Sequence, residues 1–307
     1  MGAQGINVGS VLDWAFSPDR RAFSKTNSLG LHQLDLTQID ASGRPKTLWK
    51  TTSLSNASQV VAVGELLLVQ NTSGVLACLD PSSGHEVWRG AAVGEGAHPV
   101  ALASGDILQT TWAGDVVRRS AKTGEVLRTT SISDMIDRLV PLGRGDGWGA
   151  ITVDRAGKIA PSVTNWRRFD EESLLFSEPL VRRNSADFSV SPCSRYLAIN
   201  RLVDEPELER TKRFRIVEIV SLDSFETLCS REMTPDTSPQ GPGVWEPACR
   251  WISFKSRGAG PVRLDRATLG DLSPLGRTPQ NVLGFSPDGA LILLEGSKTT
   301  LRPYEGL

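Results

Sequence analysis

Histidine is the side chain best suited to proton transfer or metal ligation near neutral pH, and the chain has three of them, His32, His85 and His98. None stands in an H-x-x-x-H or H-E-x-x-H pair, the spacing that sets two imidazoles on one helical face around a metal. The densest acidic run is Asp170, Glu171 and Glu172. Consecutive carboxylates in a turn do not face each other across one scissile bond, so a solvated turn is expected there rather than an acid–base pair. The four cysteines, Cys78, Cys193, Cys229 and Cys249, are far apart and include no C-x-x-C pair. They read as small buried hydrophobes in a reducing compartment. A G-x-S-x-G nucleophile elbow and a phosphate-binding G-x-x-x-x-G-K-[ST] loop are both absent. The expectation is a protein that is not an enzyme, with no cofactor and no metal.

The elements that would carry any site are bounded by composition. Of 307 residues, 39% are apolar and 22% charged, which is the balance of a soluble globular protein. Lys and Arg number 34 against 35 Asp and Glu. A net charge of −1 argues against nucleic-acid binding driven by overall charge, which needs a basic stripe to displace counterions. The first residues, MGAQGINVGS, lack the basic segment and apolar run of a secretory signal. Gly2 is followed at position 6 by Ile rather than Ser or Thr, which weakens a myristoylation reading. No stretch approaches the roughly 18 apolar residues of a membrane helix. A cytoplasmic protein, away from membranes and monomeric when free, is the expectation.

Short β-forming runs separated by turn residues dominate the chain. VVAVG, ELLLVQ, NTSG, VLACLD, PSSG and HEVWR follow one another from Val60 to Arg89. VALASG, DILQTTW, AGDVVRRS, AKTG and EVLRTT repeat the order from Val100 to Thr130. Gly74 and Gly84, Gly114 and Gly124, and Gly147 and Gly157 are each ten residues apart. Tight hairpins need a positive φ at one turn position, where glycine is cheapest. A second signature, LDPSSGHEVW (Leu79–Trp88), recurs as SAKTGEVL and IDASGRPKTLW, with worn copies in VSLDSFETL and RLDRATLGDL. In it Asp or Ser opens a turn, Gly closes it, and the following Trp or Leu lies on an outer strand and packs between units. A third signature, WAFSPDRRAFS, FSVSPCSRYLAI and LGFSPDGALILL, places a Ser-Pro-Asp hairpin after a first strand.

The FSPDG and SPCSRYLAI segments resemble WD-repeat propellers, and LDPSSGHEVWR resembles the repeat of quinoprotein (pyrroloquinoline-quinone) propellers. The resemblance implies an all-β fold: one domain over residues 1–307, a seven-bladed β-propeller of four-stranded antiparallel blades. First strands fall near residues 11, 57, 98, 137, 185, 243 and 279. The last unit has room for three strands, and its fourth is expected from the N-terminus, where Ile6 and Val8 alternate with polar residues. Trp14, Trp49, Trp88, Trp148 and Trp251 are expected in blade cores. Trp166 is expected in the connection between the third and fourth strands of the fourth unit.

Propellers host binding and catalysis alike, so function has to come from a site. The extra length sits in three segments, Ser177–Asp187, Leu202–Arg213 and Thr234–Trp245, expected as loops on one face. They bring Arg182, Arg183 and Arg210 beside Glu205 and Glu207, with Trp112 or Trp245 as a buried anchor for a protein partner. The expected function is a non-catalytic propeller presenting that face to a protein, as a regulatory or immunity protein would. The alternative is an enzyme, a quinoprotein-like oxidoreductase or a hydrolase, with its site at the mouth of the central channel.

Overall fold

In an array of blades the middle strands are covered on both faces, so they are buried along their length, while outer strands stay largely exposed. The computed structural model bears this pattern out. It describes residues 5–304 apart from 18, 20, 28, 53, 55, 95, 97, 98, 103, 143–146, 155–161, 207–210, 235–237, 257–259, 274–279, 287 and 296–298. The chain is a seven-bladed β-propeller, and every ordered element among the described residues is a strand.

The short strand β1 (Ile6–Asn7) precedes the first blade, which is β2 (Asp13–Phe16), β3 (Ala22–Asn27), β4 (Gly30–Ile39) and β5 (Pro45–Thr51). The second is β6 (Ala57–Val63), β7 (Leu66–Asn71), β8 (Leu76–Leu79) and β9 (Glu86–Arg89). The third is β10 (Val100–Ala101), β11 (Ile107–Thr110), β12 (Asp115–Arg119) and β13 (Val126–Ser131). The fourth has β14 (Met135–Pro141), β15 (Trp148–Asp154) and β16 (Val163–Asp170), with an outer edge divided between β17 (Leu175–Phe176) and β18 (Val181–Asn184). The fifth is β19 (Ala186–Val190), β20 (Tyr196–Pro206), β21 (Thr211–Ser221) and β22 (Thr227–Met233). The sixth has three strands, β23 (Pro239–Trp245), β24 (Trp251–Ser256) and β25 (Val262–Asp265), and a single bridge, Leu264 to Asp271, stands where a fourth would lie. The seventh is β26 (Asn281–Phe285), β27 (Leu291–Glu295) and β28 (Thr299–Pro303), completed by β1. Closure by the N-terminal strand is thus built from the pairs Ile6–Leu301 and Asn7–Thr300.

Two compact units emerge from the contacts. One holds the strands up to Leu139, Glu172–Leu175 and β28; the other holds Val140–Glu171, the chain from Phe176 to β27, and Tyr304. In the first, β7 and β8 are buried almost throughout, and Leu68, Leu76 and Cys78 are fully enclosed beside Trp88 and Ile107. Each such leucine contributes about 1.5–3 kcal/mol by leaving water. In the second, Trp166, Val181, Phe188, Leu197 and Ile199 form one core cluster, and Val217, Ile219, Trp245, Ile252 and Phe254 another. Trp166 therefore sits inside the third strand, 1% exposed, rather than in a connection. It fits because Gly149, diagonally across on β15, has no side chain: a Cβ there would come within 2.0 Å of the indole.

The turn signatures act as their residues require. Gly84 N–H bonds the Asp80 carbonyl at 2.8 Å, and Gly124 bonds Ser120 at 2.9 Å. In the worn copies Phe225 bonds Ser221 and Leu269 bonds Asp265, each at 2.9 Å, and these two non-glycine residues hold φ near +59° and +53°.

Candidate partner-binding surface

An outer-strand residue four to six positions after the positive-φ residue of the turn reaches the next blade. Trp88 Nε1 donates to the Ala121 carbonyl at 2.8 Å, and its ring lies over Gly124, where a Cβ would come within 2.5 Å. Trp49 repeats this on Pro81 (2.8 Å) and Gly84 (2.7 Å). At the matching places Arg128 Nη1 donates to the Glu172 carbonyl at 2.7 Å, and Cys229 Sγ to Arg266 at 3.4 Å. One structural position is thus filled by three chemistries, all delivering a donor to a turn carbonyl.

The three segments expected as loops are largely strand. Ser177–Asp187 contains β18, which pairs β16 from Val163–Asn184 to Trp166–Val181. Its two arginines have separate tasks. Arg183 Nε donates to Glu218 Oε2 at 2.8 Å, and Arg201 Nε to Oε1 of the same carboxylate at 2.8 Å. Glu218 is 5% exposed, so Arg183 completes a buried clamp between the fourth and fifth blades and is committed to the fold. Arg182 stays outside, with Asp154 at 3.8 Å.

Trp245 is a correction. It is 4% exposed, donates Nε1 to the Ser189 carbonyl at 2.9 Å, and stacks on Tyr196 with ring centroids 6.3 Å apart. It ends β23 rather than beginning it, and Ser189 lies toward the end of β19, away from Ala186 where β20 leaves the blade. An interior side chain at that end cannot anchor a partner beside the 202–213 segment. Trp112, in the turn between β11 and β12, is 39% exposed.

The Leu202–Arg213 segment is the outer part of a long hairpin. β20 and β21 have eleven residues each and pair from Tyr196–Ser221 out to Pro206–Thr211. β19 supports β20 only as far as Arg201, and β22 supports β21 only as far as Arg215. Beyond that, among the described residues, the ladder continues within the hairpin as a ribbon with Asp204 opposite Arg213 and Glu205 opposite Lys212. Glu207 and Arg210 lie outside the described residues.

Sequence reasoning missed a polar chain linking the second and third blades. Arg119 is 2% exposed and donates to Gln109 Oε1 (3.0 Å), the Gly124 carbonyl (2.9 Å) and the Ala91 carbonyl (3.0 Å). Gln109 donates onward to Gln70 at 2.7 Å, and Gln70 to Gln59 at 2.9 Å. Burial pushes the Arg119 guanidinium below its ordinary value. The signal was present in the recurrence of Gln near the end of successive second strands, LLLVQ and DILQ. Among the described residues, no group of three His, Cys, Asp or Glu is placed to hold a metal ion.

Comparison with known proteins agrees with this architecture. Residues 35–158, less than half the chain, match the family model of the outer membrane protein assembly factor BamB. No curated protein matches the chain. Among solved structures, the Kuenenia stuttgartiensis hydrazine synthase aligns over 99% of this chain and 98% of its own, with a TM-score of 0.70 at 14% identity. BamB from Moraxella catarrhalis aligns over 97% and 84%, with a TM-score of 0.59 at 14% identity. A chain of the mitotic checkpoint complex aligns over 99% and 92%, with a TM-score of 0.66 at 13% identity. These likenesses are of fold: the chain is a seven-bladed β-propeller resembling the quinoprotein-like and WD-repeat propellers.

Proposed function

We propose that this propeller is a non-catalytic binding module and that the ribbon of β20 and β21 is where it takes a protein partner. The observation that carries the reading is the register: Val203–Pro206 of β20 and Thr211–Arg213 of β21 run past the ends of the pairing with β19 and β22, and among the described residues their ladder pairs lie within the hairpin. The edges of a ribbon that runs beyond its neighbouring strands are where a partner can add a strand. Its sequence carries acidic residues on one strand, Asp204 and Glu205, and basic residues on the other, Lys212 and Arg213, a mixture suited to orientation of a partner more than to raw affinity. The matched family model, that of an outer membrane protein assembly factor, and a fold neighbour from the mitotic checkpoint complex support a binding role by their names. A regulatory or immunity protein that occupies its target would work this way.

The test has two stages. Affinity capture from cell extract with the intact chain names a partner, and the purified partner is then titrated against the intact chain and a variant whose residues 204–213 are replaced by a tight turn. Loss of at least about tenfold in affinity is expected if the ribbon holds the central contacts. Equal affinity for the trimmed variant overturns the assignment.

A further inference from the structure

The second-strand hairpins of the fifth and sixth blades carry two thiols that the fold brings together. The N–H groups of Ser194 and Cys249 each donate at 2.8 Å to the carbonyl three residues back, Ser191 and Glu246, as Gly289 does to Ser286 in the seventh blade. The fourth residue of each turn has positive φ: about 56° at Ser194, 60° at Cys249 and 72° at Gly289. In that conformation the Cβ is directed at the preceding blade, since one added to Gly289 would come within 2.8 Å of Pro247. The sixth blade has a cysteine there, and its Sγ accepts the Cys193 backbone N–H at 3.3 Å. Cys193 Sγ in turn lies 3.3 Å from Ser191 Oγ, which is itself fixed by the Tyr196 N–H at 3.0 Å.

From this geometry we infer that Cys193 and Cys249 form a dithiol site that reacts with small-molecule disulfides and closes into an inter-blade disulfide. Cys193 is the attacking group, being partly exposed while Cys249 is buried. Burial alone would raise the Cys193 thiol, but hydrogen bonds from the Cys249 thiol, the Ser191 hydroxyl and the Arg195 N–H bring it below its ordinary value. Burial pushes Cys249 up to about 12, which suits a thiol that keeps its proton until the second step. In the first step the Cys193 thiolate attacks one sulfur of the disulfide RSSR; the S–S bond breaks and RS⁻ leaves. In the second, Cys249 gives up its proton and attacks the Cys193 sulfur of the mixed disulfide, expelling the second RS⁻. Two protein thiols are oxidised, RSSR is reduced to two RSH, and the two cysteine protons end on them. In a reducing compartment the pair rests as thiols, so the site reports a shift in thiol–disulfide balance.

The experiment incubates the full native chain with glutathione disulfide, then counts free thiols and maps peptides without reduction. The chain has four free cysteines in the structure, and the expected product keeps two, Cys78 and Cys229, with one cross-linked peptide joining Cys193 to Cys249. Cys249→Ser should stop at a stable glutathione adduct on Cys193, and Cys193→Ser should leave Cys249 unmodified. The wild-type result decides whether or not either variant folds. Retention of all four thiols, a wild-type adduct on Cys193 that never resolves, or a bridge through Cys78 or Cys229 would each overturn the inference.

Discussion

Side chains that look alike in sequence have different duties once their neighbours are known, and the adjacent pair Arg182 and Arg183 shows this. Arg183→Glu removes one of two guanidiniums from the buried Glu218 and adds a like charge, so stability should fall by about 1–3 kcal/mol or more. Arg182→Glu faces solvent and should change stability by no more than about 0.5 kcal/mol. Denaturant melts of the two variants separate these outcomes; equal melts would refute the clamp. Trp88→Ala leaves a cavity over Gly124 and an unbonded Ala121 carbonyl, and should cost about 3–5 kcal/mol. Glu246 supplies a pH test. Burial would raise its carboxyl, but bonds from the Arg250 side chain and N–H, with Tyr304 O–H, hold it below its ordinary value of 4.5. A carboxylate lowered in the folded state stabilises above its unfolded value and loses that contribution as pH falls through the folded one. Glu246→Gln should therefore be less stable than wild type at neutral pH, and the gap should narrow below pH 4.5; a gap independent of pH would contradict this.

At the scale of elements, the long hairpin separates stability from function. Among the described residues, the ladder pairs of 204–206 and 211–213 lie within the ribbon, so exchanging 204–213 for a tight turn should leave the free energy of unfolding within about 1 kcal/mol of wild type. A large loss on trimming would mean that the ribbon packs back on its blade. These residues read as a loop in the sequence because LVDEPELERTKR is charged and lacks alternation. Pairing overrides that composition because β20 and β21 are already in register over Tyr196–Arg201 and Ile216–Ser221, and each further pair extends an existing ladder. Ser177–Asp187 was misread for a related reason. Val181 is buried against Trp166 and Phe188, a contact no local pattern announces.

For the molecule as a whole, closure rests on few residues. β1 adds two paired residues to β28, Val8 is 3% exposed, and the buried Lys25 donates Nζ to the Val8 and Ser10 carbonyls. Deleting residues 1–10 would strip that cation of both acceptors and leave β28 as a bare edge, so a loss of several kcal/mol out of roughly 5–15 is expected, with self-association through the edge. An unchanged melt and a monomeric variant would show that closure contributes little.

The sequence by itself determined the number of blades, the closing strand and the turns, because each rests on signals within about ten residues: a positive-φ glycine, a Ser-Pro-Asp hairpin, an alternating strand. It also marked Trp88 as an inter-blade residue, since the turn before it repeats. What only the tertiary structure decided lies between blades. Ser189 and Trp245 are 56 residues apart, as are Cys193 and Cys249, and Arg183 meets Glu218 across 35. Whether a tryptophan is an anchor or a core residue, and whether two cysteines are strangers or a pair, depends on the face each blade turns to the next. That is set by packing over distances at which local sequence carries no signal.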